Sequence, residues 1–196
     1  MTTGLTTQTF KNLQLDAGCF VSMDLSTYNT VETLKEALAD TIEDPEKWLG
    51  ATRGGGTFQC VPTTRSVEAD GKRSEFVGST VIDGWDVKLT TTLMEATPEN
   101  FARALMCVDS TTTGQKTTLK VRTAIKDTDY IPLAWVGDTA YGLTVIELDN
   151  ALNIAGANFT FTDKGEGTLP VEFQAHQSDM LNQDFAPCRV HFLKKE

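Results

Sequence analysis

In the run DGWDVKLTTTLMEA, from Asp83 to Ala96, residue character alternates along most of its length. Trp85, Val87, Leu89, Thr91 and Leu93 fall on one side of a period of two, and Asp86, Lys88, Thr90 and Thr92 on the other. An extended strand with one face buried turns that spacing into an apolar stripe. Such a strand needs sheet partners and a second layer to cover it. Composition agrees, since 30 of the 196 residues are Thr, in runs such as Thr90–Thr92 and Thr111–Thr113. Thr is stiff at χ1 and suits pleated, half-exposed surfaces.

The rest of the chain reads the same way. AGCFVSM is an early strand candidate, and GGGTFQCVP runs into TTRSVEADGKRSEFVGS. There the Asp70-Gly71 pair predicts a type I′ hairpin turn. TTLKVRTAI, IPLAWVG, GLTVIELDNAL, NIAGANFTFTD, TLPVEFQAHQ and CRVHFLKK are further strand candidates, with a bulge or a close backbone approach expected at 155–158. About ten strands result. One helix start is clear: Thr97 caps, Pro98 takes the first helical position and Glu99 favours the positive end of the dipole. Phe101, Leu105 and Val108 continue it as a stripe, with Ala104 alongside, and DSTTTG ends it near 109.

Residues from about 24 to 52 interrupt this β-character. TVETLKEALADTI holds Val31, Leu34, Leu38 and Ile42 at spacings of three and four, the mark of a short amphipathic helix. From Asp24 to Gly50 there are seven acidic and two basic residues. Excursions of this length inside compact domains are usually functional. The expected fold is mainly β (α+β): two packed antiparallel sheets or a barrel, one flanking helix and a long N-terminal loop insertion. One domain over residues 1–196 suffices, because a chain of this size buries a single adequate core.

The formal charge is −10, from 17 basic and 27 acidic residues. A nucleic-acid grip needs the opposite balance. An acidic surface serves solubility or lets nucleic acid slide past; charge alone does not choose. The four cysteines are at least 41 positions apart and form no metal-ligand spacing. Cys60 and Cys188 fall in strand-like runs and Cys107 in a helix-like one, which predicts reduced, buried thiols in a cytoplasmically made chain. The opening MTTGLTTQTFKN has no apolar core and no 18-residue apolar run occurs, so neither a signal peptide nor a membrane span is expected.

Catalytic signatures are missing at this level. His176 and His191 are the two histidines, each at an alternating position in a strand-like run without a local carboxylate or cysteine at ligand spacing. RGGGTF lacks the GK[ST] ending of a phosphate loop and leads into a strand instead of a helix. Alternation sets Asp86 on the face opposite Asp83 and Glu95, and the latter two stand roughly 40 Å apart along a strand, too far for a dyad. No catalytic, metal-binding or cofactor-binding residue is assigned, and a non-enzyme is expected.

The order of these segments resembles a known family. Leu15–Val21 (LDAGCFV) gives an early strand before a long loop. Leu49–Leu105 then holds a glycine-rich ATRGGGTF entry, a VEADGKR hairpin, the W-V-LT-TL-E-T strand and the TPENFARAL helix in that order. The closing GEGTLPVEFQAHQSD and PCRVHF segments match as well. This arrangement is similar to the major tail tube proteins of long-tailed phages, particularly siphophages and prophages of Gram-positive bacteria.

The resemblance implies a structural virion protein that self-assembles as stacked hexameric rings into the tail tube. Each subunit would lend long hairpins to an inner β-barrel, the conduit for DNA delivery into the host. It implies as partners further copies of itself, a tape-measure protein, the tail tip or baseplate and a tail terminator, with double-stranded DNA passing without specific binding. It implies assembly in the bacterial cytoplasm and residence in the tail of the virion. Asp86, Lys88, Thr90 and Thr92 are candidate lumen-facing residues; the equal alternative is ordinary outer surface. Val31, Leu34, Leu38 and Ile42 mark the loop expected to reach the adjacent ring. Two alternatives stand beside this reading: the inner tube of a contractile tail or phage-derived bacteriocin, and a monomeric β-sandwich binding module.

Overall fold

The computed structural model describes residues 6, 9, 13–14, 16–161, 163–180 and 184–195. Leu15 and most of the opening MTTGLTTQTFKN segment lie outside the described residues. Nine strands run in chain order: β1 (Cys19–Val21), β2 (Thr52–Ser66), β3 (Thr80–Leu93), β4 (Val108–Thr113), β5 (Lys116–Val121), β6 (Ile131–Asp138), β7 (Gly142–Asn153), β8 (Leu169–Gln174) and β9 (Cys188–Lys194). Helix α1 covers Val31–Thr41 and α2 covers Pro98–Ala104, and a 3-10 turn covers Asp127–Asp129.

Two antiparallel sheets share β7. Its first half pairs with β6 on one side and β9 on the other, and β1 continues that sheet beyond β6. Its last residues, Leu152 and Asn153, pair instead with Gln174 and Phe173 of β8, which leads on to β3 and β2. Asn150, at φ 45°, sits where β7 passes from one sheet to the other. Between the layers pack Phe20, Leu133 and Leu148 from the first sheet against Leu89, Leu93 and Phe173 from the second, each at most 2% exposed. Burying side chains of this size contributes about 1.5–3 kcal/mol apiece.

The back of the first sheet is covered too. Val21, Ala134, Val136, Leu143 and Val145 meet Leu25, Val31 and Leu34, so α1 forms a third layer. Its first turn is secured by Thr30, whose side chain accepts from Thr33 N. α2 starts as the sequence predicts: Thr97 Oγ1 accepts from Asn100 N at 3.2 Å and Pro98 stands at the first turn. The mainly β reading with two packed antiparallel sheets is what the chain adopts.

Several local expectations are corrected. α2 ends at Ala104, short of 109; Met106 turns to φ 70° and Val108 joins a strand ladder opposite Val121. DSTTTG is therefore the first arm of the β4–β5 hairpin, with Gly114 (φ 61°) at the first central position of a two-residue turn. Cys107 lies in the link after α2, buried. Asp70-Gly71 does not close a two-residue hairpin either. Only Gly71 has positive φ (86°), and Lys72 N donates to Ala69 O, a type II turn nested inside the longer 67–79 loop. NIAGANFTFTD is not a strand: the Asn153 side chain accepts from Glu172 N and Ala155 N, which ends the ladder there, and only the Thr160–Thr168 bridge follows. His176 lies two residues beyond β8, not within a strand.

Candidate functional site

The β2–β3 hairpin is longer than the sheet that carries it. β8 pairs with β3 only across Lys88–Leu93, and Ala175 N adds one further bond to Val87 O. Beyond that point Val61–Ser66 and Thr80–Asp86 pair with each other alone, as a two-stranded ribbon. Threonine and valine on both arms favour this extended form. The register slips between Thr63 and Thr64, leaving Asp83 as an extra residue on β3 whose carboxylate receives Arg65 Nε at 2.8 Å. A bulge of this kind adds twist.

Such a ribbon is marginal in water by itself. Its sides carry apolar groups that stay about half exposed: Val61 is 46% exposed, Ile82 51% and Trp85 41%. Trp85 thus departs from the buried stripe expected of it, because the opposing layer stops before it; Val87, Leu89, Thr91 and Leu93 follow the stripe. The ribbon ends in a self-tied loop. Lys72 Nζ reaches Ser66 Oγ, Val67 O and Glu75, and Glu75 also accepts from Ser79 Oγ at 2.8 Å. These bonds, led by Ser79 and Lys72, pull the Glu75 carboxyl down to about 2.

Two more open edges occur among the described residues. β4–β5 is a separate two-stranded sheet whose Thr112–Thr117 pair is exposed. Arg122 ties its base, donating to Ala124 O at 2.8 Å and to Asp129. β9 pairs only with β7 and shows Val190 and Phe192 at 44% and 69% exposure. The β1 edge differs, since Ser22 N donates to Lys47 O and Leu49 N to Phe20 O.

Asp86, Lys88, Thr90 and Thr92 lie together, half-buried, on the face of β3 away from the core. Their ladder partners extend that face through Thr57, Gln59 and Val61 of β2 and through Glu172 and Gln174 of β8. Lys88 Nζ stands 3.2 Å from Glu172 and 3.3 Å from Asp86, which together raise its affinity for the proton. The three charges leave the patch at a net −1.

The stripe of α1 is used inside the subunit. Val31 and Leu34 are 3% and 1% exposed, Leu38 packs beside them, and Ile42 alone stands out at 60%. Val31 and Leu34 are thus buried against the first sheet, and the long β1-to-β2 excursion supplies a third layer through α1.

Sequence reading missed one polar cluster. Glu147, 3% exposed, accepts from Leu25 N at 2.6 Å and faces His191 Nε2 at 2.8 Å and Arg189 Nε at 3.4 Å. An acidic residue inside the apolar run of β7 was the available signal. His176 Nδ1 lies 3.2 Å from Asn150 O and packs edge-on against Tyr130. Among the described residues no group of three or more His, Cys, Asp or Glu could hold a metal ion, and no helix is long and apolar enough to cross a membrane. No family model matches the chain, and no curated protein is significantly similar to it in sequence.

Proposed function

We propose that this chain is a structural, self-assembling subunit whose copies join through their open strand edges into rings that stack as a tube of the phage-tail type. The observation that carries the reading is the β2–β3 ribbon, with two edges unpaired among the described residues and half-exposed Val61, Ile82 and Trp85. Unprotected edges invite pairing with another chain, and identical subunits joined head to tail satisfy all of them when the rotation closes. Three edge systems on one subunit are more than a single dimer contact would use. On this reading the ring is hexameric, and the tube is a virion conduit assembled in the host cytoplasm alongside a tape-measure protein, tail tip and terminator.

The polar face of Asp86, Lys88, Thr90 and Thr92 suits a lumen. Its one lysine is held by two carboxylates, so it offers no free cation to a passing phosphate backbone. Contact with the next ring falls to the outer side of the α1 segment, which carries Ile42 and the acidic Glu32, Glu36 and Asp40. No enzymatic role is proposed, and the same geometry serves a contractile inner tube.

Negative-stain microscopy of the concentrated protein tests the reading. Rings or tubes are expected, with size exclusion shifting far above the 21.4 kDa subunit. A strictly monomeric protein at high concentration, also with a purified tail-tip complex as nucleus, would overturn it in favour of a binding sandwich.

A further inference from the structure

We propose that Cys60 and Cys188 are an oxidisable pair that closes into a disulfide joining the two sheets. Their sulfurs are 4.0 Å apart although 128 positions separate them in the chain. Cys60 lies on β2 in one layer and Cys188 on β9 in the other. Each points into the sandwich: Cys60 stands opposite Val87 in its ladder and Cys188 opposite Leu148, both nearly fully buried. The two cysteines themselves are only half-buried, because the layers part at this edge, so a small oxidant reaches them. Inter-sheet disulfides of this layout occur in other β-sandwiches.

The remaining thiols are placed elsewhere. Cys19 packs toward the α1 side of the first sheet, and Cys107 is buried behind α2 with its thiol donating to Arg122 O. Burial first, and the neighbouring Cys60 second, push the Cys188 thiol up to about 12, so it stays protonated at neutral pH. Its S–H lies within donating distance of the Cys60 sulfur. Either sulfur can attack first; with Cys60 leading, Cys188 is the resolving partner.

The oxidant is an external small-molecule disulfide. The Cys60 thiolate attacks one of its sulfurs and expels the first thiolate. Cys188 gives its proton to solvent, attacks the Cys60 sulfur of the mixed disulfide and expels the second. The protein loses two protons and two electrons, and the oxidant leaves as two thiols. Closure needs the sulfurs to approach to about 2 Å, through side-chain rotation and a small approach of two edge strands. On the tail-tube reading, on which this one step rests, the bond would form after the particle leaves a reducing cytoplasm.

The purified full chain, treated with oxidised glutathione at pH 8 and then unfolded and alkylated, gives the test. Four alkylated cysteines are expected before treatment and two after it, with the peptides of Cys60 and Cys188 joined in the map. The long closed loop should raise Tm by roughly 10 °C. Cys60→Ser and Cys188→Ser should abolish the link, and Cys19→Ser with Cys107→Ser should keep it. Four free thiols after treatment, a lasting glutathione adduct, or a link through Cys19 or Cys107 would each overturn the proposal. None of these readouts depends on whether the protein forms tubes.

Discussion

His191 Nε2 lies 2.8 Å from Glu147 Oε2, a carboxylate that the α1 layer leaves just 3% exposed. Arg189 stands directly opposite Glu147 in the β7–β9 ladder, and Leu25 N donates to its other oxygen. The carboxylate thereby ties the segment leading into α1 to β7 and to the edge strand β9. Removing it strands the buried Leu25 N–H and breaks the contact with His191, while Arg189 keeps Asp149; a lost partner of a buried group costs about 1–3 kcal/mol. Glu147→Ala should lower stability in urea by about 3 kcal/mol. Glu147→Gln, which still accepts from Leu25 N, should lose less than half as much.

The docking of α1 yields the next expectation. Leu34 is 1% exposed against Val145 and its neighbours, whereas Ile42, about two helical turns further on the same predicted stripe, is 60% exposed. Leu34→Ala should cost about 2–4 kcal/mol by cavity formation, and Ile42→Ala under about 0.5 kcal/mol. Equal small effects in chemical denaturation would mean that α1 does not pack on the sheet.

What could be read in advance follows from what is local. The alternation from Val87 to Leu93, the Thr97-Pro98 start and the 3–4 spacing of Val31, Leu34 and Leu38 depend on neighbours within a turn or a pleat, so they survive into the fold. Ile42 and Trp85 fail because burial depends on how far the opposing layer extends, and no period encodes that. Val108 fitted a helical stripe equally well, yet Val121 offered it a ladder partner beyond the two-residue turn at Gly114. The Asp70-Gly71 signal was correct about a turn and silent about the Lys72–Glu75 ties that enlarge it into a loop. The Glu147 cluster and the Cys60–Cys188 contact join residues 44 and 128 positions apart, beyond the reach of any local pattern.

Acid should loosen the ribbon's end loop before it unfolds the subunit. Glu75 is held at about 2 in the folded loop by Ser79, Lys72 and Ser66, against an ordinary 4.5. A depressed carboxylate contributes stability above its ordinary pKa and loses it as pH falls through the folded value. Amide protection at residues 67–79, taken relative to the intrinsic exchange rate at each pH, should therefore fall as pH drops from about 4.5 to about 2, at first without matching change in the Phe173 strand. Glu75→Gln should show the looser loop already at neutral pH with Tm almost unchanged. A loop whose protection is flat across that window would mean the Lys72–Glu75 network does not hold it.

The open edges make the sharpest demand on assembly. Val61 and Phe192 are exposed on strands that have neighbours on one side only, so a charge there meets water in the isolated subunit and a partner's backbone in any edge-joined polymer. Lysine at such positions is a natural guard against edge pairing. Val61→Lys and Phe192→Lys should each leave stability within about 0.5 kcal/mol of the parent, as surface changes do. Both should suppress rings and tubes in negative stain at concentrations where the parent forms them. Leu93→Lys gives the contrast: its site is fully buried between the sheets, so it should unfold the subunit outright. Assembly that survives both edge lysines would show that copies meet through some other surface, because a continuous ladder cannot absorb two desolvated ammonium groups per subunit without partners.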